Sequence, residues 1–312
     1  MFKKLLICSD QSDASNLLFT CVGDLKSIGA EEAILVHVFD NVPLGFNEIF
    51  AGDTQAIFEK DYPAIKEVLN KLEKQKILLE EAGLKTTMEA VNGIPARAII
   101  ELAEKYKVSA IVTGSHGKGI MKRATLGSVS TEVLTRARVP VFLIKAKLNK
   151  SDEIVLSRQK LLNHILYLTD FSTTADKALN YVEQIVQYAK IPVTVAHIQD
   201  TAQLYRDLSK VPGFDPKMLA EVEAQNYRKV RTDLQQVKKR LELAGSSTVS
   251  VDYPNGRPID VVMDIIKKNE DLSLVVMGSQ GKGFVKELFM GSLSLQVTRY
   301  SPIPVLIVPA KV

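Results

Sequence analysis

Two glycine-rich segments carry the residues whose types and spacing best suit phosphate binding. Residues 114–128 read GSHGKGIMKRATLGS and residues 278–292 read GSQGKGFVKELFMGS, so the pattern Gly-x2-Gly-x9-Gly-Ser occurs twice. Glycine lets a ligand approach the main chain closely, and free N–H groups at a helix start bind phosphate with help from the helix dipole. Glycines after strands also serve turns alone, and a duplication would preserve such a turn. We therefore expect phosphate binding in one copy at least.

The pattern differs from the two best-known nucleotide motifs. A Walker A loop needs Ser or Thr after its lysine, whereas Gly119 and Gly283 follow Lys118 and Lys282 here. The glycines also do not open the first helix, as they would in a dinucleotide fingerprint. The two lysines either contact phosphates as point charges or are solvated in their loops.

A carboxylate stands just after the first apolar run of each copy. Asp10 follows Cys8-Ser9, and Asp170 follows Leu168-Thr169. Such a side chain at the carboxyl edge of a sheet can accept hydrogen bonds from ribose hydroxyls. It can equally cap the helix that follows, and one residue can do both.

Other polar residues near the predicted edge have simpler explanations. His37 and His197 fit half-buried, hydrogen-bonded strand histidines, although the backbone next to them could contact an adenine edge. Pro95 and Pro258 fit the first turn of a helix. No Cys or carboxylate cluster accompanies the histidines at ligand spacing, so we predict no structural metal site.

The elements that must position these residues are themselves repeated. The two glycine segments lie 164 residues apart, and the landmark Asp, His, Gly and Pro residues recur in the same order at nearly that distance. Short runs of Val, Ile and Leu alternate with amphipathic stretches, which predicts parallel strands with helices on both faces. The fold class is therefore α/β, with two tandem doubly wound domains over 1–148 and 160–312. The joint at 146–161 is polar and shows no clear strand.

The strands and longest helices follow from this periodicity. We predict helices at 64–82 and 218–244, ended by Gly83 and Gly245. The predicted strands are Lys3–Cys8, Ala33–Val38, Thr86–Val91, Ala110–Thr113 and Val139–Ile144 in the first copy, and His164–Leu168, Val193–Ile198, Thr248–Asp252, Leu272–Met277 and Ile303–Val308 in the second.

Composition bounds the class of protein. The 312 residues carry a dispersed net charge of +4 and two cysteines, Cys8 and Cys21, which fit small buried apolar residues in a reducing compartment. No dense basic block indicates nucleic-acid or membrane binding. The short apolar run near the N-terminus does not resemble a signal peptide, and we expect a cytoplasmic protein.

Together these motifs resemble the universal stress protein family in its tandem two-domain form. The resemblance implies five-stranded parallel sheets of order 3-2-1-4-5 that bind ATP, ADP or AMP, with any Mg²⁺ or Mn²⁺ held through the phosphates. Family members dimerise through their fifth strands, which implies an internal pseudo-dimer and a capacity to form homodimers. Gln280 replaces His116, so the two sites are expected to differ. The implied site-one residues are Ser9, Asp10, Val38, Thr113, Gly114, His116, Gly117, Gly127, Ser128 and Val129; those of site two are Thr169, Asp170, Ile198, Met277, Gly278, Gln280, Gly281, Gly291, Ser292 and Leu293.

Three functions are compatible with this sequence. The first is a nucleotide-binding regulatory protein of the stress response, whose occupancy alters the surface offered to a protein partner. The second is a slow ATP hydrolase, although we predict no catalytic residues. The third is a nucleotide-free scaffold, because fold similarity does not guarantee function. We predict loops at 40–62 and 200–217, whose aromatic residues could be lids, partner contacts or parts of their own core: Phe46, Phe50, Tyr205 and Phe214.

Overall fold

The chain folds into two compact units. A computed structural model describes residues 2–40, 63–115, 126–148, 154–158, 160–213, 215, 217–281 and 290–311. The first unit comprises residues 1–161 with 311–312, and the second comprises residues 162–310. The boundaries predicted above for the two domains remain a prediction. None of the described helices is both long enough and apolar enough to cross a bilayer.

The first unit contains a parallel five-stranded sheet of order β3-β2-β1-β4-β5. Four of its strands are almost continuously apolar and buried, as expected for a sheet covered on both faces, whereas only two of the eight residues of the edge strand β3 are buried. The described elements run in this order: β1 Lys4–Cys8, α1 Asp13–Asn16, a 3-10 turn Leu17–Cys21, α2 Val22–Ser27, β2 Glu32–Phe39, α3 Pro63–Glu81, β3 Lys85–Asn92, α4 Pro95–Lys105, β4 Ala110–Gly114, α5 Ser128–Arg136, β5 Val141–Ile144, β6 Ala146–Leu148 and β7 Ile154–Leu156.

The second unit repeats the same sheet. Its parallel order, β10-β9-β8-β11-β12, matches that of the first unit strand for strand. The described elements are β8 Ile165–Leu168, α6 Thr173–Ala189, β9 Val193–Ala196, α7 Thr201–Leu208, α8 Lys217–Ala244, β10 Val249–Asp252, α9 Pro258–Lys268, β11 Leu274–Gly278, α10 Ser292–Tyr300 and β12 Val305–Val308.

Local sequence signals account for these elements. All ten predicted sheet strands are present, with ends within two residues of the predicted ones. Pro95 and Pro258 occupy the first turns of α4 and α9, where a missing N–H costs no helical hydrogen bond. Gly83 and Gly245 follow α3 and α8 with φ of 86° and 103°, the left-handed conformation that ends a helix. The predicted α/β class and strand order are confirmed.

Two predictions about connecting segments are wrong. The joint contains an antiparallel hairpin of β6 and β7, extended by a hydrogen bond from the Ser157 amide to the Lys145 carbonyl. Polar residues around Leu148 and Ile154 obscured these two short strands. The segment at 200–217, predicted as a loop, contains α7, whose Asp200 side chain accepts from the amide of Gln203 and so caps the helix.

The structure agrees with only some of the expectations for the cysteines and the aromatic residues. Cys21 is buried as expected, and burial raises the pKa of its thiol to about 11. The Cys8 side chain is half-buried. Tyr205 is 46% exposed on α7, which excludes, of the three alternatives, the one in which it belongs to its own core. Phe46, Phe50 and Phe214 lie outside the described residues.

Removing the conformational freedom of Gly245 should destabilise the second unit. A Cβ there would have room, with its nearest neighbour 3.9 Å away, but φ of 103° disfavours any residue other than glycine. We expect Gly245→Ala to lower the free energy of unfolding by about 1 kcal/mol. Gly23→Ala is the control, because Gly23 lies in a helix with open space and no positive φ. Denaturant unfolding that shows equal losses for the two variants would contradict this account.

The histidine before β8 should make stability fall in mild acid. His164 Nε2 lies 3.0 Å from Thr194 Oγ1, and burial lowers its pKa despite the opposing charge of Asp271. Because the folded chain binds this proton less tightly than the unfolded chain, its contribution to the free energy of unfolding is complete above pH about 6.5 and falls below it.

The measurement is urea unfolding at pH near 7.5 and near 5.5, for the wild type and for His164→Gln. The glutamine can still bond Thr194 but does not titrate in this range. We expect the wild type to lose more stability on acidification than the variant. Identical losses in the two proteins would remove His164 as a source of acid sensitivity.

Candidate functional site

The loop after β8 presents a carboxylate held by its own backbone. The Ser172 amide donates to Asp170 Oδ1 at 3.1 Å, and the Phe171 amide donates to Thr169 Oγ1 at 3.0 Å. Phe171 has a φ of 58°, which turns the chain sharply out of the strand. Ser172, not Asp170, caps α6, because its Oγ accepts from the Ala175 amide at 3.1 Å.

The loop after β1 has the same construction. Asp10 Oδ1 accepts from the Ser12 amide at 3.0 Å and from Ser12 Oγ at 2.6 Å. Ser12 Oγ in turn accepts from the Ser15 amide at 3.1 Å and caps α1. The alternative that Asp10 and Asp170 cap these helices is therefore wrong. The caps are serines two residues later, which the sequence signals only through the shared Asp-x-Ser spacing.

The glycine turn and the carboxylate adjoin in the second unit. A Cβ built on Gly281 would lie 2.6 Å from Asp170 Oδ2, so only glycine fits here without displacing the carboxylate. Gly278 has a different reason to be glycine: its Cβ would lie 2.8 Å from Thr174 Cγ2 and 3.0 Å from the Thr174 carbonyl carbon. Gly278 thus lets β11 pack against α6, while Gly281 faces the site.

Part of each glycine segment is already hydrogen-bonded within the protein. The Ser279 and Gly291 amides donate to the carbonyls of Val308 and Ser279 at 2.8 and 2.7 Å. In the first unit, the Ser115 and Gly127 amides donate in the same way, at 3.0 Å each. These four amides are not available to an anion, so an anion-binding site in either segment must use other amides.

Within the described part of these segments, amides open to an anion lie at the starts of α5 and α10. Gly127 and Gly291 are the N-caps and supply no side-chain cap. Among the described residues, the amides of Ser128 and Val129, and those of Ser292 and Leu293, have no acceptor. Uncapped first-turn amides attract anions, and the helix dipole adds to the attraction.

Two serines that sequence reasoning missed fix these helix starts. Ser130 Oγ donates to the Gly114 carbonyl at 2.7 Å, and Ser294 Oγ donates to the Gly278 carbonyl at 2.9 Å. Both are buried, and they lie 164 residues apart, the same spacing as the glycine segments. That spacing is the signal that could have identified them. They hold the uncapped amides next to the ends of β4 and β11.

The two strand histidines have the structural role expected of them. His37 Nδ1 lies 2.8 Å from the Ser9 carbonyl oxygen, and His197 Nδ1 lies 2.8 Å from that of Thr169. A carbonyl only accepts, so each Nδ1 carries a proton and donates it. These bonds tie the second strand of each sheet to the residue that precedes the site carboxylate.

The other predicted site residues fall around the same strand ends. Val38 and Ile198 are half-buried near the ends of β2 and β9, and Thr113 and Met277 are buried at the ends of β4 and β11. Gln280 is half-buried beside Gly281, whereas His116, Gly117, Lys118 and Lys282 lie outside the described residues. The described part of the chain contains no group of three or more His, Cys, Asp or Glu side chains suited to a metal ion. The binding role of each residue stays a prediction.

Comparison with known proteins agrees with this architecture. The profile of the universal stress protein family matches twice, at residues 1–145 and 162–309. The universal stress protein MJ0577 of Methanocaldococcus jannaschii is 35% identical over 157 residues, which cover 47% of this chain and 97% of that protein. A second relative from the same organism, MJ0531, is 34% identical over 151 residues, covering 46% of this chain and 83% of its own.

A solved structure aligns with nearly the whole chain. The crystal structure of a universal stress protein from Archaeoglobus fulgidus superposes with a TM-score of 0.64 at 25% identity, covering 98% of this chain and 96% of that one. Two profile matches and a full-length structural relative lead to one conclusion. The chain belongs to the universal stress protein family and carries the family domain twice.

Proposed function

We propose that the protein binds an adenine nucleotide, ATP in the first instance, and acts as a regulatory protein of the stress response. One observation supports this most directly: the carboxylate of Asp170 adjoins Gly281 at the carboxyl end of the sheet. Ligands of open α/β sheets bind at this edge, where the strand order reverses between β8 and β11. The family resemblance makes an adenine nucleotide the expected ligand.

The available groups match the two polar ends of a nucleotide. Asp170 Oδ1 accepts from the Ser172 amide, and Oδ2 lies on the side of Gly281. Each carboxylate oxygen can accept more than one hydrogen bond, so this side chain can also accept from a ribose hydroxyl. The uncapped amides of Ser292 and Leu293 can donate to phosphate oxygens. Any Mg²⁺ or Mn²⁺ would be held through the phosphates themselves.

Regulation suits this arrangement better than hydrolysis. A hydrolase needs a group that positions water, usually with a base near the γ-phosphate. The imidazole of the first motif, His116, has Gln280 as its counterpart in the second. An amide cannot act as a general base, so the second site in particular is suited to holding a nucleotide. The internal pseudo-dimer and the protein partner remain predictions.

Blocking the second site should remove one nucleotide from the complex. Gly281→Val adds a branched side chain whose Cβ would lie 2.6 Å from Asp170 Oδ2, and should push the carboxylate away. Losing a charge-assisted hydrogen bond of this kind weakens binding by at least about tenfold. We expect equilibrium dialysis with labelled ATP to show one high-affinity site fewer than in the wild type.

Gly23→Val is the matched control, because a Cβ on Gly23 has no neighbour within 4 Å. It should bind ATP as the wild type does. Asp170→Asn keeps the size of the side chain and removes its charge, and it should weaken the same site. A wild-type protein that binds no ATP, or Gly281→Val with unchanged stoichiometry and affinity, would refute the proposal.

Nucleotide should also stabilise the fold. A ligand that binds only the folded state at a concentration a hundred times its Kd adds about 2.7 kcal/mol to the free energy of unfolding. We expect ATP to raise the thermal midpoint of the wild type, and to raise it less for Gly281→Val. A midpoint independent of ATP concentration in the wild type would show that no folded-state site is filled.

A further inference from the structure

The residue after the site carboxylate has the same backbone conformation in both units but a different kind of side chain. Gln11 and Phe171 follow Asp10 and Asp170, with φ of 65° and 58°. The left-handed region is costly for residues with a side chain, so the loop must be held firmly in both units. Equivalent backbones thus carry an amide in one repeat and a phenyl ring in the other.

In the second unit this phenyl ring begins a series of four rings, which we call the aromatic ladder. The ring centroids of Phe171 and His197 are 4.9 Å apart, those of His197 and Tyr253 5.5 Å, and those of Tyr253 and Tyr227 5.8 Å. Successive planes are tilted by 33°, 31° and 34°. Three of these residues follow β8, β9 and β10, and Tyr227 comes from α8.

The first unit carries a polar network at the equivalent place. Gln11 Nε2 donates to Gln75 Oε1 and to Ser9 Oγ, at 3.4 Å each, and Gln75 Nε2 donates to Asn16 Oδ1 at 2.7 Å. The strand register sets Ala90 opposite His37, and the same register continued by one residue sets Tyr253 opposite His197. Two ladder positions therefore hold Gln and Ala in the first repeat.

The aromatic ladder begins at the residue that follows the site carboxylate. Phe171 is the neighbour of Asp170, whose Oδ2 adjoins Gly281, and His197 bonds the Thr169 carbonyl just before it. Aromatic side chains present π faces on which nucleobases stack, without preference for one base. The alternative is a purely structural role, in which the rings anchor α8 to the strand ends and do not contact a ligand.

We propose that the second site binds the nucleobase by stacking it against the Phe171 end of the aromatic ladder, and thereby selects ligands with an aromatic base. This inference rests on the proposed nucleotide-binding function. It goes further by separating two kinds of recognition in one site. The carboxylate and helix amides bind any ribose triphosphate, whereas the aromatic ladder adds affinity only when a base is present.

The test compares ATP with inorganic tripolyphosphate on the full chain. The variant Phe171→Leu keeps an apolar side chain and removes the ring, and Tyr253→Leu shortens the aromatic ladder at its third ring. Tyr188→Leu is the control, because Tyr188 is 59% exposed near the end of α6 and belongs to none of the ring contacts above. Two-site titrations give both affinities, and hypochromism of the adenine band reports stacking directly.

We expect Phe171→Leu to weaken ATP at one site by about tenfold, while tripolyphosphate changes less than about twofold. Adenine hypochromism should be present in the wild type and in Tyr188→Leu, and reduced in Phe171→Leu. Unchanged ATP affinity, equal weakening of both ligands, or no hypochromism in the wild type would overturn the stacking proposal.

The outcomes separate this inference from the function on which it rests. A wild type that binds neither ATP nor tripolyphosphate would refute nucleotide binding itself. A wild type that binds ATP without any dependence on Phe171 would refute only the stacking. If Phe171→Leu does not fold, wild-type hypochromism and Tyr253→Leu still decide the question.

Discussion

The hydrogen bond from each strand histidine to the end of the first strand is the constraint on which both candidate sites depend. His37 and His197 reach the carbonyls of Ser9 and Thr169, the residues just before the two carboxylates. A loop that adopts a left-handed, non-glycine conformation is intrinsically unfavourable, so it persists only where its neighbours hold it. The imidazole supplies that restraint from the adjacent strand, and the serine caps supply it from the following helix.

Given this restraint, the site is assembled by packing rather than by local sequence. Gly278 lets β11 approach α6, and Ser294 ties the start of α10 to the carbonyl of that same glycine. The helix amides and the carboxylate are thus brought to one edge by the packing of Gly278 against Thr174, 104 positions away, and by the Ser294–Gly278 hydrogen bond, which spans 16 positions. Each contact is modest, but displacement of either helix would separate the groups that the proposed nucleotide would bridge.

Short-range patterns in the sequence allowed the strands and the glycine turns to be predicted, whereas the strand order was implied by the resemblance to the universal stress protein family. Apolar runs mark buried strands, and Gly245 or Pro258 marks a helix end or start. The separate roles of the two glycines Gly278 and Gly281 could not be predicted from such patterns. Whether Gly278 serves packing and Gly281 serves the site depends on what faces the missing Cβ, which is Thr174 in one case and Asp170 in the other.

The hairpin at the joint was missed for a related reason. Its strands, Ala146–Leu148 and Ile154–Leu156, are three residues each, too short for any periodicity to emerge from the surrounding polar residues.

The left-handed position after each carboxylate has a broader consequence. Since the backbone there is fixed by histidine and serine neighbours, the side chain at Gln11 or Phe171 can be exchanged without rebuilding the loop. Gene duplication could therefore diversify ligand preference at one position while the scaffold of both copies stayed under the same selection.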